Sequence, residues 1–264
     1  MKLKTDKMIA EKDGPIGWMI FNNPERRNAV SLAMREAMVT IFEAFGRDDE
    51  VRVLVLKGAG DKAFVSGADI SEFKERRNSA EAEALYAAAA DRSRRAMEAF
   101  DKPIIAMIHG FCVGGGLATA IACDLRIASD SSQFGIPAAK LGLGYAYSSL
   151  KQLTDVVGPA AAKEILFTGR RFNAEKALRM GLVNEVVAAG RLEAMVRDYA
   201  DEIAANAPLT VKAAKATIGE IFKRDQDKDL GAIEAMVKRC FDSEDYREGR
   251  EAFMAKRKPV FVGR

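Results

Sequence analysis

The sequence predicts an α/β protein with a layered core and a parallel sheet, followed by a subdomain made of helices. Up to about residue 190, compact apolar segments typical of buried strands alternate with segments whose apolar residues recur at helical spacing. After residue 190, helical spacing continues with few strand signals between the helices. We therefore expect two domains, residues 1–190 and residues 191–264.

The elements of the first domain are delimited by apolar runs and turn residues. Ser31 is the expected N-cap of a helix that ends near Phe45, and Gly58 and Gly60 end a compact apolar strand. The predicted strands are residues 8–11, 17–22, 51–57, 103–108 and 125–129. The predicted helices are residues 31–45, 80–100 and 115–123.

Four further helices are predicted for the second domain. The dipeptide Ala207-Pro208 and the charged run at residues 224–228 interrupt the helical spacing there. The predicted helices are residues 191–205, 210–223, 229–241 and 245–255.

The composition excludes several classes of function. The chain has 264 residues, 48% hydrophobic and 30% charged, and its net charge of +3 is too small to indicate nucleic-acid binding. One histidine and three cysteines without a CxxC pair argue against a metal cluster, and this cysteine usage suits a reducing compartment. We find no apolar run of about 20 residues and no signal peptide, so we expect a cytoplasmic protein that does not bind a membrane.

Two loops that follow strand-like segments are rich in small residues: residues 64–70, FVSGADI, and residues 109–118, HGFCVGGGLA. In the second loop, Gly114, Gly115 and Gly116 lie at the start of a helix, where free N–H groups and the helix dipole favour negative charge. The loop is neither a Walker motif nor GxGxxG, so it does not by itself indicate a nucleotide phosphate. Taken alone, the glycines are equally consistent with a tight packing turn.

Together with residues 133–138, QFGIPA, these loops resemble the crotonase (enoyl-CoA hydratase/isomerase) superfamily, and the resemblance spans nearly the whole chain. It implies a crotonase-type spiral of β-β-α units and an acyl-CoA thioester as substrate. It also implies that the backbone N–H groups of Ala68 and Gly115 hold the thioester oxygen. One donor of this kind is worth about 3–4 kcal/mol in other systems. Five further residues of the two loops are candidate substrate contacts: Ser66, Gly67, Asp69, Ile70 and Gly114.

Ala118 and Ala138 stand where the resembled hydratases carry the two glutamates that activate water and move a proton. A methyl group does neither, so ordinary hydration is disfavoured. Residues 141–145, LGLGY, resemble the loop of methylmalonyl-CoA decarboxylases that carries a tyrosine, which makes Tyr145 the candidate proton donor. Decarboxylation requires no base, because the departing CO₂ leaves its electrons on the α-carbon. A site lined by two alanines also disfavours the substrate carboxylate relative to the enolate.

The resemblance assigns other residues to the CoA moiety. Arg27 lies in residues 22–30, NNPERRNAV, which match the family segment near the pyrophosphate and adenine. Phe253 and Lys256 match an aromatic residue and a lysine that often contact the adenine or the 3′-phosphate. The resemblance also implies a homo-oligomer, a trimer or a dimer of trimers, with the C-terminal helices at the contacts. It implies no metal or redox cofactor, since coenzyme A enters as part of the substrate.

We therefore expect a lyase that acts through a thioester enolate and decarboxylates a malonyl-type CoA thioester. One alternative is an enoyl-CoA hydratase or isomerase whose acid and base groups lie elsewhere. Another is a non-catalytic member that binds acyl-CoA or RNA. The predicted helix at residues 31–45 contains Arg35 but no lysine, which argues against RNA.

Overall fold

Ten strands and nine α-helices make up the described part of the computed structural model, which covers residue 1, residues 3–69 and residues 80–264. The strands are β1 (Met8–Asp13), β2 (Ile16–Phe21), β3 (Val53–Gly58), β4 (Ala63–Val65), β5 (Ile104–Ile108), β6 (Phe111–Val113), β7 (Leu125–Ser129), β8 (Gln133–Gly135), β9 (Phe172–Asn173) and β10 (Glu185–Val187). The helices are α1 (Leu32–Arg47), α2 (Ala80–Glu98), α3 (Gly115–Ile121), α4 (Tyr147–Thr168), α5 (Ala174–Arg179), α6 (Leu192–Ala205), α7 (Pro208–Ile221), α8 (Leu230–Asp242) and α9 (Glu244–Met254).

The strands form two sheets that the chain visits in alternation. The six-stranded main sheet has the order β1-β2-β3-β5-β7-β10, and all its neighbouring strands are parallel except the β1/β2 hairpin. The four-stranded second sheet has the order β4-β6-β8-β9. Each of β3, β5 and β7 leads into a short strand of the second sheet and then a helix, so the β-β-α spiral expected from the sequence is confirmed.

Both faces of the main sheet are buried, which explains why its strands are apolar at almost every position. On one face, Leu54 packs in a large core with Ile41 and Phe42 of α1. On the other face, Val55 packs with Val196 of α6. Ser31 caps α1 as expected, since its side chain accepts a hydrogen bond from the Met34 amide at 3.3 Å.

The structure corrects the expected elements between residues 109 and 190. The strand before the glycine run is β6, not the strand at residues 103–108. Strands of two or three residues are too short to show a periodic pattern, so most of the second sheet carries no clear sequence signal. The sequence analysis also omitted α4, because Gly158-Pro159 interrupts its pattern; the structure has a kink at Gly158 within this helix.

The domain boundary at residue 190 stays a prediction. The first helix beyond it, α6, covers one face of the main sheet and shares a core with β2 and β3. The helices α7, α8 and α9 bury little of their own surface by comparison. Within the described residues, none of the helices combines the length and apolarity that a membrane span requires.

Candidate active site

The loop after β4 is held by one residue of the segment that precedes α1. The Val30 amide donates to the Gly67 carbonyl at 2.8 Å, and the Asp69 amide donates to the Val30 carbonyl at 3.1 Å. Because peptide groups alternate in direction along an extended chain, this bridge turns the Ala68 N–H away from Val30. Among the described residues, the Ala68 amide donates no hydrogen bond.

The glycine run after β6 presents a second free amide. Gly114 has a left-handed φ of 57°, and its own amide donates to the Gly135 carbonyl at 2.8 Å. Gly115 opens α3, so its N–H lacks an intrahelical acceptor, and it donates to no other group in the described chain. A β-carbon on Gly116 would lie 2.0 Å from the Val65 carbonyl oxygen, so only glycine permits this approach to β4.

The two amides lie side by side. A β-carbon built on Gly115 would be 3.8 Å from the Ala68 nitrogen, and one built on Gly67 would be 3.8 Å from the Gly115 nitrogen. The sequence analysis paired Ala68 with Gly115 from motifs about 50 residues apart, and the structure brings these two backbone donors together. An oxygen atom between them can accept two hydrogen bonds, the geometry that stabilises an oxyanion.

Of the two alanines, Ala118 ends the glycine loop, whereas Ala138 follows β8. Ala118 is half-buried one turn after Gly115, on the same face of α3. Ala138 is buried in the main core, at the start of the 3-10 turn Ala138–Leu141. Neither methyl group can exchange a proton, so both contribute apolar surface only.

Tyr145 is half-buried and packs against the same core as Ala138. Burial raises the pKa of its phenol, because the charged phenolate would lose solvation. The hydroxyl group therefore stays protonated at neutral pH, which suits a proton donor and not a base. Its role in proton transfer stays a prediction.

The polar residues of the β4 loop make local contacts. The Ser66 hydroxyl donates to the Arg26 carbonyl at 3.3 Å, and the Ser66 amide donates to the Arg27 carbonyl at 3.1 Å. Asp69 is 5% exposed and forms an ion pair with Arg26 at 3.3 Å. These contacts indicate that Asp69 orders the loop. Ile70, another candidate substrate contact, lies outside the described residues.

Arg27 adopts a left-handed backbone conformation, with φ of 52°, and exposes its side chain. Its guanidinium carbon lies 5.0 Å from the centre of the Phe111 ring. Arg171, which precedes β9, contacts the same ring at 5.4 Å. The sequence analysis missed both Phe111 and Arg171; the only signal was the basic doublet at residues 170–171.

Phe253 and Lys256 are exposed, and neither has a hydrogen bond, ion pair or ring contact with the two loops among the described residues. The chain after α9 returns to the start of β3, where Arg52 donates to the Phe261 carbonyl at 3.2 Å. The glycine loops instead follow the carboxyl ends of strands. The structure therefore does not bring these two predicted CoA contacts to the site within one chain.

A family model described as enoyl-CoA hydratase/isomerase matches residues 11–264, nearly all of the chain. The chain therefore belongs to the enoyl-CoA hydratase/isomerase family. The crotonase superfamily expected from the sequence is thus confirmed.

Members of this family with similar sequences carry names of water-adding or water-removing enzymes. The short-chain-enoyl-CoA hydratase of Clostridium acetobutylicum is 36% identical over 256 residues, covering 97% of both chains. The carnitinyl-CoA dehydratase of Proteus mirabilis is 35% identical over 262 residues, covering 95% of this chain and 96% of its own.

A solved structure of the family is also close in fold. The enoyl-CoA hydratase/carnithine racemase of Magnetospirillum magneticum superposes with a TM-score of 0.93 at 39% identity, covering 99% of this chain and 97% of that chain. The decarboxylase interpretation finds no support among these names, and the hydratase alternative fits them better.

Proposed function

We propose that this family member binds an acyl-CoA thioester and holds its carbonyl oxygen between the Ala68 and Gly115 amides. The observation that carries this proposal is that the two amide N–H groups lie close together and that, among the described residues, neither donates a hydrogen bond. When charge moves onto the thioester oxygen, fixed donors stabilise the enolate without having to reorient. Ala118 lies one turn after Gly115, so its methyl group adds apolar surface next to one of the donors, and apolar surroundings strengthen such hydrogen bonds.

Hydration or dehydration of an acyl-CoA is the reaction that the names of the relatives favour. Hydration adds water across the double bond of an enoyl thioester, so the site must remove one proton from water and deliver one to the α-carbon. Because positions 118 and 138 are alanines, other groups must carry these protons. Tyr145, with its raised pKa, fits the delivering group better than the base.

Decarboxylation of a malonyl-type thioester is a second candidate, favoured by the combination of two alanines with a protonated phenol. The bond between the α-carbon and the carboxylate breaks, CO₂ leaves, and the electron pair forms the enolate that the two amides hold. One proton, delivered to the α-carbon from Tyr145 or water, completes the reaction. This candidate requires no base, which agrees with the residues at 118 and 138.

A turnover screen by mass spectrometry separates these candidates. The substrates are crotonyl-, malonyl-, methylmalonyl- and ethylmalonyl-CoA. A mass gain of one water on crotonyl-CoA supports the hydratase, and a mass loss of one CO₂ from a malonyl-type thioester supports the decarboxylase. CoA binding without turnover of any thioester contradicts both reactions and favours a binding-only member.

The Tyr145→Phe variant tests the proton donor in whichever reaction is found. If the phenol delivers the proton, kcat falls by about 100-fold or more, since positioned acids contribute at least this factor. The phenyl ring preserves the packing, so the melting temperature should change little. An unchanged kcat assigns Tyr145 to packing alone.

We further propose that the chain assembles as a trimer or a dimer of trimers. None of the thirteen residues of α8, all of them described, is buried, and α8 exposes Val237 and Phe241. Phe253 of α9 is 86% exposed. Apolar helix surface of this kind is typical of subunit contacts. We propose no cofactor beyond the coenzyme A of the substrate, and a cytoplasmic location stays a prediction.

A further inference from the structure

We propose that Arg171 and Arg27, which both contact the Phe111 ring, form a phosphate-binding site for the CoA moiety. The proposal rests on the proposed function, since it assigns a new residue, Arg171, to the recognition of that substrate. The phosphate groups of CoA are the anionic part of an acyl-CoA, and arginine is the side chain best suited to bind them.

The outer face of the second sheet carries this site. Phe134 and Phe172 stack in the core with ring centres 5.9 Å apart, and Cys112 is buried beside them in the same sheet. Because side chains alternate along a strand, the residues that precede each of these three face outward. They are Phe111, Gln133 and Arg171, and Phe111 pairs directly with Gln133 across β6 and β8.

Both guanidinium groups contact the ring of Phe111. The guanidinium carbons lie 5.0 Å (Arg27) and 5.4 Å (Arg171) from the ring centre. Each contact orients a planar cation over an aromatic ring, which lowers the cost of ordering the side chain when an anion binds. Arg170, Lys140 and Gln133 join Phe111 and Arg171 around an open groove of about 630 Å³.

Among the described residues, these cations have no acidic partner. In the described chain, no ion pair involves Arg27, Arg171, Arg170 or Lys140. Neighbouring basic residues are paired: Arg26 with Asp69, Lys176 with Glu164, and Arg179 with Glu175. Three of these cations line the groove, and Arg27 contacts the same Phe111 ring as Arg171. A bound phosphate relieves the repulsion among them.

The distance from the proposed oxyanion site suits a CoA thioester. Phe111 begins β6 and Gly115 follows that strand, so the two are separated by at most about 13 Å of extended chain. An extended pantetheine arm spans this separation. Arg27 is also linked to the thioester loop, because its carbonyl accepts the Ser66 amide at 3.1 Å. One bound molecule can therefore reach both sites.

Binding measurements with the Arg171→Gln variant test the proposal. Calorimetry gives the Kd of CoA, of dephospho-CoA, which lacks the 3′-phosphate, and of pantetheine, which lacks all phosphates. We expect Arg171→Gln to weaken CoA binding about tenfold, with pantetheine binding unchanged and a shallower dependence on salt. If the loss disappears with dephospho-CoA, Arg171 binds the 3′-phosphate; if it persists, Arg171 binds the pyrophosphate.

Arg197→Gln is the matched control, because Arg197 also lies over an aromatic ring, Trp18, but far along the chain from both loops. It should leave the Kd of CoA unchanged. Equal CoA affinity in Arg171→Gln and the parent, with the parent binding and turning over a thioester, overturns this inference alone. A parent protein that binds neither CoA nor any thioester overturns the proposed function first.

Discussion

Two aromatic rings in this protein each lie against two basic side chains, one in each sheet. Trp18 of the main sheet contacts Lys57 at 4.7 Å and Arg197 at 5.0 Å. Phe111 of the second sheet contacts Arg27 and Arg171 at similar distances. The distances between ring and cation are similar in the two clusters, but the clusters differ in what neutralises their charge.

Carboxylates complete the Trp18 cluster. Lys57 pairs with Glu193 at 3.3 Å, and Arg197 pairs with Asp13 at 2.6 Å. The ring is only 3% exposed, so this cluster joins β2, β3 and α6 into one packed unit. The Phe111 cluster has no such carboxylate among the described residues, and its cations face solvent. The comparison teaches that the main sheet neutralises the cations that lie against its ring, whereas the second sheet leaves its cations available to a ligand.

The largest expected effect comes from removing each ring in turn. Trp18→Ala should lower the free energy of unfolding by about 3–5 kcal/mol, because it empties a buried volume. Phe111→Ala should cost only about 1 kcal/mol in stability, because the ring is half-exposed, yet it should weaken CoA binding. Urea denaturation and calorimetry measure the two quantities. Equal losses of stability would contradict the distinction between the clusters.

The Ala68 and Gly115 amides, in the loops that follow strands of the second sheet, are also groups that the second sheet leaves available to a ligand. Gly115→Pro removes one N–H at the first position of α3, where proline is compatible with the helix. We expect kcat to fall by about 100- to 1,000-fold while CoA still binds. Gly115→Ala is the control, since its methyl group has room and the N–H remains. If alanine and proline reduce kcat equally, the amide is not the donor.

A smaller effect is the loss of stability in acid when a carboxylate that pairs with a cation becomes protonated. Hydrogen bonds from Arg257 and the Val260 amide lower the pKa of Glu248 from 4.5 to about 2. Because the folded-state pKa is the lower one, the stabilisation is present above pH 4.5 and is lost as the pH falls towards about 2. Unfolding midpoints across this interval should fall less in Glu248→Gln than in the parent. The Phe111 cluster has no carboxylate among the described residues and should not contribute to this loss.

The main sheet was predictable because its strands are buried on both faces and form long apolar runs. β7 has the predicted bounds, and β3 and β5 differ only at their ends. The second sheet was not predictable in this way, because its strands have two or three residues and its pairing joins segments that are distant in the sequence. The position of β9 beside β8, for example, depends on tertiary packing such as the Phe134–Phe172 contact.

The candidate site was likewise predictable from the sequence only in part. The loops that carry Ala68 and Gly115 were found from local motifs, because glycine and small residues mark the close approach of two backbones. The contact of Arg171 with Phe111 could not be predicted from local motifs, because it depends on how the strands of the second sheet pair. Phe253 and Lys256 were expected near the substrate, and the single chain leaves both exposed and away from the loops.

The three cysteines differ in burial, and this difference offers a specific attachment point for a probe. Burial raises the pKa of Cys112 far above its usual range and that of Cys123 to about 12, so their thiols resist alkylation in the folded protein. Cys240 of α8 is less buried and borders an apolar groove between the C-terminal helices. A maleimide dye should therefore label Cys240 first, and its fluorescence would report directly when another chain covers that groove.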